Sequence, residues 1–354
     1  MTITRTIAGR TIGAGHTPLI IAELGVNHDG DRDCALVLVD HAHDAGADAI
    51  KTQVFDADLL MSSDARLAAY QRQSGENNPV DMLRRLQLSL DALEAIHERA
   101  HELGLLTLCT IFTPELVAPT LESVRVDALK IASPDIVNTL LLDACIETGL
   151  PLILSTGASI PEEIDDAITH LGPARDRVSL MQCVSAYPTP DRNASLGAIR
   201  DIARRTNLPV GYSDHTTSTL TGAIAVGAGA CLLEKHLTHD RDAPGPDHSA
   251  SLDPNQLSEY VTLARGAFSM LGQESKSLLD IERDVRDVSR QSLVLRTPCA
   301  RGQTITRTML SSARPGTGIA PNRVQEIVGM VATCDLEAGT LLQPEHAAPA
   351  HVTT

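Results

Sequence analysis

Eight short apolar runs rich in Ile, Val and Leu recur along the first part of the chain, at 19–24, 49–54, 105–111, 128–132, 151–155, 178–184, 209–212 and 230–236. A longer amphipathic stretch follows each. Between residues 33 and 45, for instance, Leu36, Val39, Ala42 and His43 recur at three- and four-residue steps, the spacing of one helix face. Glycines stand where such helices would end and the next run would begin: Gly46, Gly104, Gly149 and the pair Gly227 and Gly229. Eight strand–helix units in about 270 residues match the count and length of a (β/α)8 TIM barrel. An open, doubly wound sheet is the alternative, because periodicity alone does not decide whether a sheet closes.

Residues 255–271 read as the eighth helix, closing a barrel domain over 1–272. A charged stretch at 273–287 reads as a linker. From 288 to 354 the pattern changes to short strand-like pieces separated by Gly and Pro turns, which predicts a small β-rich domain.

Composition narrows the partners. The formal net charge is −16, and there is no Trp, with three Phe and four Tyr. Neither nucleic acid nor an anionic membrane surface suits such a chain, and stacking platforms for single strands are missing. The N-terminal MTITRTIAGR has no signal-peptide core, and no later stretch reaches the roughly 20 apolar residues of a spanning helix. Seven scattered Cys with no C-x-x-C pair fit reduced thiols in a cytoplasm.

Every run ends in, or just before, a polar group. The first gives Glu23, then Asn27 and His28. The second carries Lys51 and Gln53, the third ends at Thr110, and the fourth holds Lys130 and Ser133. Ser155-Thr156-Gly157 closes the fifth, Gln182 with Ser185 and Tyr187 the sixth. Ser213-Asp214-His215 closes the seventh and Glu234-Lys235-His236 the eighth. In a barrel these C-terminal ends converge on one mouth, where the active site sits. Caps and turns also collect polar residues at strand ends, which covers Ser155, Thr156 and Asp214 one by one. It does not cover Lys51 and Lys130, because an unpaired ammonium inside an apolar strand is costly. Two lysines and several hydroxyls aimed at one mouth form a cradle for phosphate or carboxylate. His215 and His236, on neighbouring strand ends, are candidates to share a metal. His41, His43, His97, His101, His170, His346 and His351 fall on helices or tails, where solvated rings are expected.

An ordered set of strings resembles the sialic acid synthases and their legionaminic- and pseudaminic-acid relatives. These are IAELGVNHDGD (21–31), AGADAIKTQ (45–53), LKIASPD (129–135), LILSTGAS (152–159), SAYPTP (185–190), GYSDHT (211–216), LLEKHLTHD (232–240) and GPDHSASL (245–252). SLVLRTPCARGQTIT (292–306) and RPGTGI (314–319) are similar to the family's antifreeze-like (SAF) module. The resemblance implies condensation of phosphoenolpyruvate with an N-acylated amino-sugar aldehyde, in a domain-swapped homodimer. It implies a divalent metal, Mn²⁺ in the first place with Mg²⁺ or Co²⁺ as substitutes. By position, Lys51, Thr110, Lys130, Ser133, Ser155 and Ser213 correspond to the phosphoenolpyruvate cradle, and His215 and His236 to the metal ligands. Gln53, Asp135, Tyr187 and Asp247 correspond to aldose and site-organising contacts. Glu23 corresponds to the base that activates water, and Arg314 to a residue lent by the partner's small domain.

The chain departs from the family pattern in places. Ser133-Pro134-Asp135 replaces a commoner Ser-Gly-Glu or Ser-Phe-Glu, so the carboxylate is one methylene shorter. Ile111 follows Thr110 where Pro is usual, and Thr52 replaces a Phe. Tyr70-Gln71-Arg72 is similar to the sialic and legionaminic branch. Arg314-Pro315-Gly316 reads as the start of a type II turn, with Pro at i+1 and Gly at i+2. Two other functions remain open on sequence: a synthase acting on a different, phosphorylated aldose, and a non-catalytic sugar-binding relic.

Overall fold

A computed structural model describes residues 3–68, 71–72, 75–273 and 275–350; Tyr70 and His351 lie outside them. The chain divides into two compact units, Met1–Gly272 and Gln273–Thr354.

The first unit is built on strands β3 (Leu19–Glu23), β4 (Ala49–Val54), β5 (Leu106–Ile111), β6 (Ala128–Ile131), β7 (Leu152–Ser155), β8 (Val178–Cys183), β9 (Val210–Asp214) and β10 (Leu232–His236). They are parallel, and β10 pairs with β3 through Leu232↔Leu19 to His236↔Glu23, so the sheet closes. The closed barrel is therefore the architecture, not the open sheet.

Strand alternation sorts the side chains into two cores. Outward residues such as Ile20, Ile50, Leu129, Leu154, Leu180 and Leu233 pack under the helices in one large cluster. Inward residues Leu19, Ile21, Ala49, Leu108, Ala128, Ile153, Met181 and Leu232 form a second cluster in the lower lumen. A hairpin not expected from the sequence, β1 (Thr4–Ile7) with β2 (Arg10–Gly13), adds Ile7 and Ile12 to this inner cluster and stoppers the bottom of the barrel.

The helices carry the expected local signals. Asp31 caps helix Arg32–Asp44 by accepting from Cys34 N, and Asp253 with Gln256 forms a reciprocal capping box on helix Pro254–Leu271. Gly46 and Gly104 leave their helices at φ +83° and +78°, a conformation costly for any residue with a Cβ. His97, expected in solvent, is 1% exposed. It continues the Leu93, Ile96, Ala100 face of helix Leu90–Glu102 and bonds Thr52 Oγ1 (2.8 Å) and the Arg125 carbonyl (3.0 Å). Burial holds its pKa down to about 4.

The second unit holds β11 (Ser292–Leu295) antiparallel to β12 (Leu310–Ala313), and β13 (Val331–Ala332) antiparallel to β14 (Ala347–Ala348). Leu293, Leu295, Ile305, Leu310, Ile319 and Leu342 form its core. Part of the expected linker is helical, at Arg283–Ser289. The turn expected at Arg314 takes another form. The Arg314–Pro315 peptide is cis and Gly316 lacks the positive φ that a type II turn requires at that position.

Candidate active site

A cleft of about 420 Å³ opens at the C-terminal mouth of the barrel, within the range of small-molecule sites. Lys51, Gln53, Thr110, Lys130, Ser133, Ser155, Tyr187, Ser213, His215, His236 and Asp247 all line it. The register explains this convergence. On each strand the residues two and four positions above the apolar lumen layer point inward again: Ile21 is followed by Glu23, and Ala49 by Lys51 and Gln53. Likewise Leu108 leads to Thr110, Ala128 to Lys130, Ile153 to Ser155, and Leu232 to Glu234 and His236.

The two lysines have different surroundings. Lys51 Nζ lies 2.9 Å from Glu23 Oε2 and 2.9 Å from Glu234 Oε1, with all three side chains buried. Gln53 Nε2 donates to the other Glu23 oxygen at 3.0 Å, and Ser213 Oγ donates to Glu234 Oε1 at 3.0 Å. Burial pulls the Lys51 ammonium down to about 8 against the attraction of Glu234. Glu234 is held below the usual carboxylate range because Lys130 and Lys51 outweigh its desolvation. Lys130 Nζ instead donates to Ser155 Oγ (2.6 Å) and to the Ile131 carbonyl (3.1 Å). No carboxylate pairs with it among the described residues, so its charge is the one left to meet an anion.

Around Lys130 the wall is rich in donors. Ser133 Oγ accepts from Gly157 N at 3.0 Å, and Thr110 Oγ1 is buried without a hydrogen-bond partner among the described residues. Gly157 is required by space: a Cβ there would lie 2.5 Å from Ser185 Oγ and 2.8 Å from Ser133 Oγ.

On the opposite side Tyr187 stacks on His215 with ring centroids 4.1 Å apart, and the His215 and His236 rings are 5.5 Å apart. His215 Nδ1 donates to the Val184 carbonyl (2.9 Å), which leaves Nε2 as the lone-pair nitrogen. His236 Nδ1 is buried with no hydrogen bond among the described residues, and Asp247 Oδ2 lies 3.8 Å away. Burial, then His215 and Lys51, push His236 well below its ordinary pKa, so it is neutral as a ligand must be. His215 shifts upward, since the Cys183 sulfur and the Val184 carbonyl outweigh its burial. Burial lifts Asp247 to about 6. Two imidazoles with an orphaned nitrogen fit a divalent ion. Among the described residues no group of three or more His, Cys, Asp or Glu is placed to hold a metal ion, so an ion here would rest on these two imidazoles.

Three expected site residues stand apart. Glu23 is fully buried beneath Lys51 and Gln53 rather than on the cleft wall. Asp135 does not line the cleft, although its neighbour Pro134 does; burial raises its carboxyl pKa against the Asn138 hydrogen bond and Lys130. Arg314 is exposed in the second unit, directly after β12.

Two further groups, placed at strand ends by the sequence but given no role there, bear on the site. Glu234 shares the inward face with His236, two positions on, and strand period alone would have flagged it. Asp214 and Lys235, one step out of phase, pair at 3.0 Å outside the barrel with neither side chain exposed. Lys235 also donates to the Thr216 carbonyl, and Thr221 to Asp214. This pins the strand end from which His215 projects.

The profile of the NeuB family matches residues 38–276 and that of the SAF domain residues 290–348. The chain belongs to the NeuB family. It is 40% identical over 341 residues to the N,N'-diacetyllegionaminic acid synthase of Legionella pneumophila, covering 94% of this chain and 96% of that one. The Campylobacter jejuni protein of the same name is 34% identical, covering 92% and 98%. A solved N-acetylneuraminic acid (sialic acid) synthetase from Leptospira borgpetersenii, in complex with citrate, superposes with a TM-score of 0.73 and 31% identity. That match covers 80% of this chain and 95% of the solved one.

Proposed function

We propose that this chain condenses phosphoenolpyruvate with an N-acylated amino-sugar aldehyde, giving a nonulosonic acid and phosphate. The observation that carries this reading is the placement of Lys130, Ser133, Ser155 and Thr110 on one side of a single cleft, facing His215 and His236. The names borne by the relatives support it.

Lys130 and the hydroxyls around it hold the two anionic groups of phosphoenolpyruvate by charge-assisted bonds, preorganised before the reaction. Lys51 sits between Glu23 and Glu234, so it orients carboxylates more than it meets substrate. C3 of phosphoenolpyruvate attacks the aldehyde carbon, and the aldehyde oxygen takes the electron pair. The oxocarbenium left at C2 accepts a water; Glu23 is the base of this reading, and because it lies behind Lys51 and Gln53 the proton reaches it past those two side chains. The tetrahedral phosphate hemiketal then breaks its C–O bond and releases phosphate. His215 and His236 would hold a divalent ion, Mn²⁺ or in its place Mg²⁺ or Co²⁺, which supplies Lewis acidity at the aldehyde oxygen.

A phosphorylated acceptor would call for further cations, yet Lys51 and Lys130 are the only Lys or Arg among the described lining residues. A sugar-binding relic would have no use for a buried carboxylate–lysine–carboxylate array beneath its pocket. A homodimer in which Arg314 completes the partner's site belongs to the same reading, as does a cytoplasmic setting. No described helix is long and apolar enough to cross a membrane. The test is phosphate release from phosphoenolpyruvate with a panel of 2-acylamino aldoses, with and without Mn²⁺. No release with any member of the panel would overturn the reading.

A further inference from the structure

Strands β9 and β10 pair through Leu233↔Tyr212, Glu234↔Ser213 and Lys235↔Asp214, and the ladder stops there. His215 and His236 are each the next residue along, so no ladder pair between β9 and β10 fixes the distance between them. Beyond that point each strand end turns to its other flank. The His215 carbonyl accepts from Thr189 N at 2.8 Å, and the His236 carbonyl accepts from Leu252 N at 2.9 Å. What joins the two ends is a side chain.

Lys235 points out of the lumen and has no exposed side-chain surface. The next outward residues along its strand, Leu233 and Leu237, belong to the apolar core under the helices. An apolar side chain would fill the same space, so the ammonium adds direction rather than bulk. It lies 5.3 Å from the centroid of the Tyr260 ring and 3.0 Å from Asp214 Oδ2. It donates to the Thr216 carbonyl at 2.5 Å and to Thr216 Oγ1 at 3.3 Å. Asp214 in turn accepts from Thr216 N at 2.8 Å and from Thr221 Oγ1. Both chain neighbours of His215 are thereby tied to the residue that precedes His236. A buried ion pair adds little net stability over an apolar pair of the same volume, and its best use is to fix register.

We propose that Lys235 is a positioning residue for metal binding: anchored by Asp214, it holds the Thr216 carbonyl and so sets the spacing of the His215 and His236 imidazoles. The inference rests on the reading that these two rings hold a divalent ion. Groups that orient metal ligands from behind are worth about 10–100-fold in metal affinity.

The experiment titrates the full chain with Mn²⁺ alone, by calorimetry, in the absence of substrate. The double variant Lys235→Met, Asp214→Asn leaves neither charge buried by itself. Its Kd for Mn²⁺ should rise about tenfold or more, while phosphoenolpyruvate affinity in metal-free buffer stays that of the parent. Thr221→Val, a milder break that removes only one donor to Asp214, should shift the Kd in the same direction and serves where the double variant does not fold. Leu233→Ala, on the same strand and the same outward face, is the control for a merely structural role: it should lower the melting temperature and leave the Mn²⁺ affinity unchanged. Parental Mn²⁺ affinity in the folded double variant and in Thr221→Val, or an equal loss in Leu233→Ala, overturns the proposal and leaves the metal assignment standing. Absence of Mn²⁺ binding by the parent, or undiminished binding in His215→Ala and His236→Ala, overturns the metal assignment and this inference with it.

Discussion

Replacing each cleft lysine by Met should give opposite phenotypes, because the two ammonium groups answer to different partners. Lys51→Met strands Glu23 and Glu234, which are 0% and 3% exposed. Removing one member of a buried ion pair costs about 3–5 kcal/mol, since the remaining charge is left without compensation. At about 2–4 °C per kcal/mol for a domain of this size, the melting temperature should drop by roughly 6–20 °C. Among the described residues Lys130 Nζ hydrogen-bonds only Ser155 Oγ and the Ile131 carbonyl. Lys130 forms no ion pair, although its longer-range attraction helps keep Glu234 ionised, so compared with Lys51→Met the variant Lys130→Met should lose less stability. Its effect should fall on phosphoenolpyruvate, where a lost charge-assisted bond of about 1.5–3 kcal/mol weakens binding roughly ten- to a hundredfold. Calorimetric titration with phosphoenolpyruvate and a thermal melt read the two effects separately. Adding Glu23→Gln and Glu234→Gln to Lys51→Met should restore most of the lost stability, because both sides of the pair are then neutral. Equal melting temperatures for the two single variants, or no recovery in the triple variant, would refute this account.

Other measurements bear on the remaining groups. Glu23→Gln should lower turnover by about 10²–10⁴ with phosphoenolpyruvate affinity nearly intact, as expected for loss of a base; a collapse in affinity with normal turnover contradicts that role. Chelation should abolish phosphate release and Mn²⁺ restore it, while His215→Ala and His236→Ala lose activity but keep the far-ultraviolet spectrum; full activity in metal-free buffer ends the metal assignment. Burial sets the Lys51 pKa at about 8, so the protonated form that orients Glu23 prevails below that pH and is lost above it. The kcat/KM profile should therefore fall on its alkaline side near that pKa, and a profile that stays flat well above it would show that the charge on Lys51 is not needed. Inactive Arg314→Ala chains mixed with inactive Glu23→Gln chains should regain activity once subunits exchange, since one site of a mixed dimer is intact; no recovery despite proven exchange would confine Arg314 to its own chain or to no role.

How much of this was legible in the sequence depends on the scale of the signal. The eight barrel strands were legible because each is a short run of Ile, Val and Leu bounded by glycine or a polar end, and closure agrees with their number. Strand period also placed Lys51, Lys130 and His236 at one mouth. What it did not give was pairing. Glu23 and Glu234 approach Lys51 through the register of β3, β4 and β10, and Lys51 and Glu234 stand 183 residues apart in sequence. Nothing local distinguishes Lys51, held by two carboxylates, from Lys130, held by a hydroxyl and a carbonyl. The same limit left Lys235, between Glu234 and His236, without a role in the sequence reading. One residue of strand phase turns it outward to Asp214, where it steadies the end of β9 instead of meeting substrate.

The misread elements share a physical cause. The N-terminal hairpin is two four-residue strands with little apolar content, and its reason to exist is the open lower lumen that Ile7 and Ile12 fill. His97 looks solvated by residue type, although its helix face, Leu93 to Ala100, already points inward; the strand behind it supplies Thr52 as partner. The apolar part of the cleft wall, with Val26 after β3, Phe55 and Met82 after β4 and Phe112 after β5, is a tertiary assembly from three loops, so no window of the sequence displays it.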